Sequence, residues 1–196
     1  MGKFLENLHR ALLLGVFLMV VVVVVLHRDV VGAGPQWANY FVIYLHVLAG
    51  ILWIGLLYYF NFVQIPTMPK IPAELKPGIS KHIAPAALFF FRWAAAFTVL
   101  FGIGVAQMKE PGGIVATLSF APGLVTIGLG MWLAIIMAAN VWFVIWPNQK
   151  KALGIVTVDD ASKAKAARTA MVASRINTVL SIPMLYCMVM QGGVGG

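Results

Sequence analysis

The 196-residue sequence is 61% hydrophobic and 10% charged, with a net charge of +8, whereas an average soluble domain has about 25% charged residues. This composition excludes a water-soluble globular domain and predicts one integral membrane domain over residues 1–196. The basic residues lie in short loops beside apolar segments, so the charge indicates membrane topology, and we expect no nucleic-acid partner.

Five apolar segments are each long enough to cross a hydrocarbon core of about 30 Å, which takes roughly 20 helical residues. They predict an all-α integral membrane protein, a bundle of about five transmembrane helices near residues 8–27, 38–63, 83–107, 121–146 and 170–191. The first contains a run of valines, Val20 to Val25. No small-residue cleavage site follows it, so we expect a retained helix and not a signal peptide.

The charge of the connections predicts an orientation, with the N-terminus cytoplasmic and the C-terminus periplasmic. Arg28 and Lys109 then lie outside, and ten basic residues lie inside: Lys3, Arg10, Lys70, Lys76, Lys81, Lys150, Lys151, Lys163, Lys165 and Arg168. The second connection, "IPTMPKIPAELKPGISKH", contains four prolines, which predict a stiff, non-helical loop. The fourth is predicted to resume as helix near Asp159–Asp160, and its basic residues predict contact with anionic lipid.

Polar residues interrupt the second apolar segment, "YLHVLAGILWIGLLYYFNFVQIP". At about 100° per residue, one stripe holds His46, Gly50, Trp53, Leu57, Asn61 and Gln64. An ionisable group inside a membrane indicates function, so His46 is a candidate cofactor ligand and Trp53 a candidate neighbour of the cofactor. The alternative is packing, in which a hydroxyl or carbonyl of a neighbouring helix satisfies His46 and Gly50 allows close helix contact.

Arg92 lies about ten residues after His82, roughly 15 Å along a helix and near the predicted midplane. A permanently charged guanidinium requires an anion or a network of carbonyls, so a haem propionate, an anionic substrate and a structural partner all remain candidates. With Arg92, the candidates for lining one substrate cavity in the cytoplasmic half are Asn61, Gln64, Asn140, Arg175 and Asn177. The alternatives are snorkelling for Arg175 and interhelical hydrogen bonds for the amides.

The four histidines, His9, His27, His46 and His82, lie in or beside the predicted spans. His46 and His82 differ by roughly 20 Å in predicted depth, so one haem does not bridge them. Two b-type haems, one at each level, would use all four as axial ligands, although His9 and His27 are also typical interfacial residues. Cys187 is the only cysteine, which excludes a covalent Cys-x-x-Cys-His haem motif within these residues.

Three long strings, "LHVLAGILWIGLLYYFNFVQIP", "KHIAPAALFFFRWAAAFTVLFGIG" and "MWLAIIMAANVWFVIWPNQKK", resemble the membrane part of the bacterial urate hydroxylases, the PuuD-type or urate oxidase N-terminal family. The first is also similar to the HemJ-type protoporphyrinogen oxidases and the CopD-like proteins. The resemblance covers most of residues 38–152. By position it places functional motifs at His46, Trp53, His82, Arg92, Asn140, Trp142, Trp146, Pro147 and Asn148.

The resemblance implies a multi-pass oxidoreductase of the bacterial inner membrane that hydroxylates urate. The leading hypothesis is a haem b-containing oxidoreductase or electron-transfer protein with one or two haems, His46 and then His82 as iron ligands, and Arg92 as propionate or substrate partner. Family members carry a cytochrome c domain, whereas no haem c motif occurs in this sequence. We therefore expect a separate cytochrome c or another respiratory-chain partner.

Two other functions remain open. A non-catalytic accessory subunit of a respiratory membrane complex is favoured by glycine-rich helix faces such as "FGIGVA". A transporter for a small anion ranks last, because the sequence shows no inverted repeat. Under each hypothesis we expect contact with membrane lipid and assembly as a homo-oligomer or within a larger complex.

Overall fold

A computed structural model of the chain describes residues 2–29, 31 and 34–194. These residues form helices and short connections without any strand. Counted with the helical turns that continue them, five helices of these residues are long and apolar enough to cross a membrane: Leu8–Leu26, Gln36–Lys70, Lys76–Lys109, Val125–Ala152 and Asp160–Gln191. We name the long helices α1 (Leu8–Leu26), α2 (Pro35–Tyr58), α3 (Ala84–Lys109), α4 (Val125–Asn140) and α5 (Asp160–Val194). The prediction of an all-α protein with five potential spans is confirmed.

The residues up to Phe41 form one compact unit, which contains α1. The side chain of Asn7 begins this helix by accepting hydrogen bonds from the backbone N–H groups of His9 and Arg10. None of the 19 residues of α1 is buried. His9 lies in the first turn and His27 directly follows the last, so both histidines sit at helix ends with exposed side chains.

The residues from Val42 form the second unit, a helical bundle. Here α5 packs along α4 and α3 also packs against α4, while side chains of α2 reach both α3 and α5. The bundle centre is filled by large apolar side chains, and Trp53, Leu57, Phe91 and Met137 are each less than 2% exposed. Since interiors are close-packed, these four side chains fix how the helices meet.

The described residues include three π-turns: Tyr59–Gln64 after α2, Ile79–Ile83 before α3, and Val141–Ile145 after α4. Each ends two residues before a proline, namely Pro66, Pro85 and Pro147. Proline lacks the N–H that an α-helix requires, and its ring collides with the carbonyl four residues earlier. Widening the preceding turn relieves that collision, so the prolines account for the positions of the π-turns.

Three of the four prolines of the second connection, Pro66, Pro69 and Pro77, lie in short helical turns. Helical structure covers Ile65–Thr67, Met68–Lys70, Lys76–Gly78 and Ile79–Ile83. The predicted non-helical loop is therefore wrong except at residues 71–75. The physical reason is that proline is well tolerated in a first helical turn, where its missing N–H has no intrahelical role.

The prediction that helix resumes near Asp159–Asp160 is confirmed, because α5 begins at Asp160. The Oδ1 atom of Asp159 accepts a hydrogen bond of 2.9 Å from the backbone N–H of Ser162, as expected of a helix-capping carboxylate. Hydrogen bonds from the side chain and backbone of Ser162 hold the pKa of Asp159 below its usual value. The charged carboxylate thus stabilises this end of the helix.

Candidate functional site

The imidazole of His46 lies between α2 and α3, where its Nδ1 atom is 2.9 Å from the backbone carbonyl oxygen of Thr98. A carbonyl only accepts, so Nδ1 carries the hydrogen and donates it. Nε2 is then left with its lone pair. This arrangement, with one nitrogen bound to a backbone carbonyl and the other basic, is typical of ligating histidines.

The space for the His46 imidazole depends on a small residue of α3. A Cβ atom at Gly102 of α3 would lie 3.0 Å from Cε1 and 3.2 Å from Nδ1 of His46. A Cβ at Gly50 of α2 would lie 3.9 Å from Cγ2 of Thr98, which is an ordinary contact. Gly102 is therefore the residue whose missing side chain makes room for the His46 ring.

These contacts fit a haem ligand at His46, and they also match the packing alternative, since a backbone carbonyl of the neighbouring helix satisfies the ring. His82 has an exposed side chain and lies in the π-turn Ile79–Ile83. It precedes Thr98 by 16 residues, or roughly 24 Å along a helix. The expectation that one haem does not bridge His46 and His82 thus agrees with their helix positions.

Trp53 is part of the bundle core and is fully buried. Its neighbours in the core cluster include Leu57, Phe91 and Met137. Its indole Nε1–H has no hydrogen-bond partner among the described residues. Buried indole groups usually have a partner, so Trp53 is both a packing residue and an unsatisfied donor.

Arg92 is held by aromatic rings. Its Cζ atom lies 3.9 Å from the centroid of the Trp146 ring and 5.3 Å from that of Phe89. The Nζ atom of Lys150 lies 5.7 Å from the same Trp146 centroid, and the indole N–H of Trp142 donates to the backbone carbonyl of Arg92. Both cations therefore lie near the Trp146 ring, whose negatively polarised face attracts positive charge.

Asn61 connects the π-turn that follows α2 to α5. Its Nδ2 atom donates to Ser174 Oγ at 2.8 Å and to the backbone carbonyl of Leu57 at 2.9 Å. Two turns along α5, Ser181 Oγ lies 3.0 Å from the hydroxyl of Tyr58. Asn61 Oδ1 has no partner among the described residues, and neither has Oε1 of Gln64.

Asn140 and Asn177 join α4 to α5. Asn140 Nδ2 donates to Asn177 Oδ1 at 2.8 Å and to the carbonyl of Ala173 at 2.9 Å, while Asn177 Nδ2 donates to the carbonyl of Met137 at 3.0 Å. Asn177 is completely buried. The structure thus brings these two amides together and uses their donors between helices, as the packing alternative describes.

A double-mutant cycle at Asn140 and Asn177 should show coupling. Asn140→Ala and Asn177→Ala each remove two interhelical bonds, one of which is the bond between the two amides. We expect the free energy of unfolding to fall by about 1–2 kcal/mol in each, with coupling of about 0.6–1.7 kcal/mol. Thermal or denaturant unfolding in detergent measures these values. The matched control is Asn148→Ala, since Asn148 bonds only to Val144 of its own helix. Additive effects would contradict the pairing.

Arg175 does not join these amides, because its side chain is exposed on α5. Asn61 and Asn140 bond to neighbouring positions of α5, Ser174 and Asn177, whereas Arg92 lies against Trp146. Gln64 lies in the π-turn beside Asn61.

Comparison with known protein families finds a similarity in the second half of the chain. Residues 101–192 match the family model described as urate oxidase N-terminal. The match supports a relationship to that family and agrees with the resemblance over residues 101–152. The resemblance over residues 38–100 stays a prediction. No curated protein and no solved structure matches the chain. The similarities to the HemJ-type and CopD-like groups stay predictions.

The urate oxidase N-terminal match includes the end of α3, α4 and α5. It contains Gly102, Asn140 and Asn177. It begins at residue 101 and so does not include His46, His82 or Arg92. The histidine that α2 contributes is thus placed against a glycine of the matched region. The region that matches the family model therefore approaches the candidate ligand His46 through Gly102.

Sequence reasoning did not identify four residues that complete these contacts: Thr98, Gly102, Ser174 and Lys150. The partner of His46 is a backbone carbonyl, which every residue has, so no side chain indicates it. Gly102 belongs to the glycine-rich string "FGIGVA", which did indicate close helix contact. Lys150 belongs to the basic connection, where topology and contact with anionic lipid accounted for its charge, and no contact with Trp146 was expected.

Proposed function

We propose that the protein is a membrane oxidoreductase or electron-transfer protein related to the urate hydroxylases, with a b-type haem ligated by His46. The observation that carries the proposal is the orientation of the His46 ring, whose Nδ1–H is tied to the Thr98 carbonyl. The match to the urate oxidase N-terminal family supports urate as the substrate to test first.

Each residue around the proposed ligand has a definite task. The Thr98 carbonyl fixes the tautomer and the ring plane, so that Nε2 is the basic nitrogen. Gly102 leaves space for the ring. Haem b supplies the capacity to accept and release single electrons when it is bound.

The experiment is a reduced-minus-oxidised absorbance spectrum of protein purified from haem-replete cells. We expect a b-type spectrum that is lost in His46→Ala, because the ligand is removed. His82→Ala is the matched histidine control, and it should keep the signal from the His46 level. A wild-type spectrum without b-type absorbance, or an unchanged spectrum in His46→Ala, would contradict the proposal. Urate consumption with a cytochrome c acceptor then tests the substrate.

A non-catalytic accessory subunit is the second candidate. In its favour, the side-chain N–H donors of Asn61, Asn140 and Asn177 are used in hydrogen bonds between helices. The centre of the bundle is also filled by packed side chains. This candidate predicts co-purification in fixed stoichiometry with a respiratory complex and no bound chromophore. The spectrum therefore separates the two candidates.

A further inference from the structure

A groove of about 680 Å³ lies between α2 and α3. The α2 side contributes leucines, and the α3 side contributes aromatic rings that are roughly half exposed. The residues that matter here are Leu45, Leu48, Leu52, Phe89, Trp93 and Phe97. The groove is apolar along its whole length, so its chemistry suits hydrocarbon.

The length of the groove corresponds to one leaflet. On α3 it extends from Phe89 to Phe101, which is about 18 Å at 1.5 Å per residue. One leaflet contributes about half of a 30 Å hydrocarbon core. An extended acyl chain that enters at one end would therefore be covered along its length.

Two cations stand at the Phe89 end of this groove. Helical side chains lean toward the helix N-terminus, and Arg92 accordingly reaches back to within 5.3 Å of the Phe89 ring centroid. Trp146 links it to Lys150. Among the described residues the one ion pair joins Arg28 to Asp29, so neither cation is neutralised by a carboxylate of that part of the chain.

We propose that this groove and the Arg92–Lys150 pair form a binding site for one anionic phospholipid. The acyl chain lies between the leucines of α2 and the rings of α3, and the phosphate contacts the two cations beside Trp146. Trp146 precedes Lys150 of the fourth connection by four residues, and indole is typical of the boundary between headgroups and hydrocarbon. The contact with Trp146 therefore puts the Arg92 guanidinium nearer a membrane surface than the midplane predicted from the sequence. Charge at one end and hydrocarbon along the rest are the two features that distinguish such a lipid from a free anion.

The test uses purified protein in detergent with phosphatidylglycerol or phosphatidylcholine, and native mass spectrometry counts the bound lipid. Each basic residue near a membrane surface contributes about fivefold to anionic lipid binding. We therefore expect phosphatidylglycerol to bind at least fivefold better than phosphatidylcholine. Arg92→Gln with Lys150→Gln should lower phosphatidylglycerol binding by roughly 25-fold. Lys163→Gln, a change in an exposed basic residue of α5, is the matched charge control.

A second pair of variants tests the groove. Leu48→Trp fills it and should reduce binding, whereas Val47→Trp adds the same bulk at an exposed neighbour that does not line it. Arg92→Lys keeps a cation and should retain most of the binding, which separates lost charge from lost folding. Equal binding of both lipids, unchanged binding in the charge variants, or full displacement by inorganic phosphate would overturn the proposal. A b-type spectrum that disappears in Leu48→Trp would also overturn it, because haem would then occupy the groove.

Discussion

The Gly128→Ala variant is expected to be strongly destabilised, with a free energy of unfolding lower by roughly 2–3 kcal/mol and a melting temperature lower by roughly 5–10 °C. A Cβ at Gly128 of α4 would collide with the backbone carbonyl oxygen of Thr117 and come within 3.1 Å of the Phe120 ring. That carbonyl accepts a hydrogen bond from the N–H of Phe120, and Thr117 is completely buried. Backbone held in this way does not yield as a flexible side chain would.

Thermal unfolding in detergent measures the effect. Gly55→Ala is the matched control, because a Cβ at Gly55 of α2 would meet no atom within 4 Å. We expect it to be neutral or slightly stabilising, since alanine favours helix over glycine. Equal melting temperatures for the two variants would show that Gly128 does not lie this close to the Thr117 carbonyl oxygen.

The Gly102→Val variant is expected to weaken haem binding by 10- to 100-fold, the range found when groups that orient a metal ligand are changed. The valine Cβ would stand 3.0 Å from His46 Cε1, and its methyl groups would extend further into the ring. His46 must then turn away from the Thr98 carbonyl, which removes the hydrogen bond that selects its tautomer. This result depends on the proposed haem, and titration of purified apoprotein with haem measures it.

Gly50→Ala is the matched control for this experiment. Its Cβ would lie 3.9 Å from Thr98 Cγ2, an ordinary contact on the same helix interface. We expect haem affinity close to wild type in this variant. Unchanged affinity in Gly102→Val would show that the His46–Thr98 contact does not orient a ligand.

The spans were predictable from the sequence because hydropathy over about 20 residues depends only on composition. The restart of helix at Asp160 was also predictable, since Asp159 is a strong capping residue. The helical turns around Pro66, Pro69 and Pro77 were missed. Proline can end a helix or occupy its first turn, and which of the two occurs depends on where the preceding helix ends.

The candidate site was predictable only in part. His46 was identified because an ionisable side chain is rare among apolar residues. Its partner was not identified, since the rotation of α3 decides which backbone carbonyl faces the ring. The same holds for Asn140 and Asn177, whose pairing depends on the angle at which α4 meets α5. Residue type indicates that such amides bond between helices but not with which atom.

The π-turns give the chain a property that concerns alignment. A π-turn accommodates one residue more than an α-turn, so the residues beyond it are displaced by about 100° around the helix axis. A straight stripe drawn from His46 to Gln64 therefore breaks within Tyr59–Gln64. Deletion of one residue from this π-turn, together with replacement of Pro66, would leave the hydropathy profile nearly the same. The residues after the turn would then be rotated about the helix axis, so different side chains would face α5. Comparison of this chain with others should accordingly allow a one-residue gap at each of these turns.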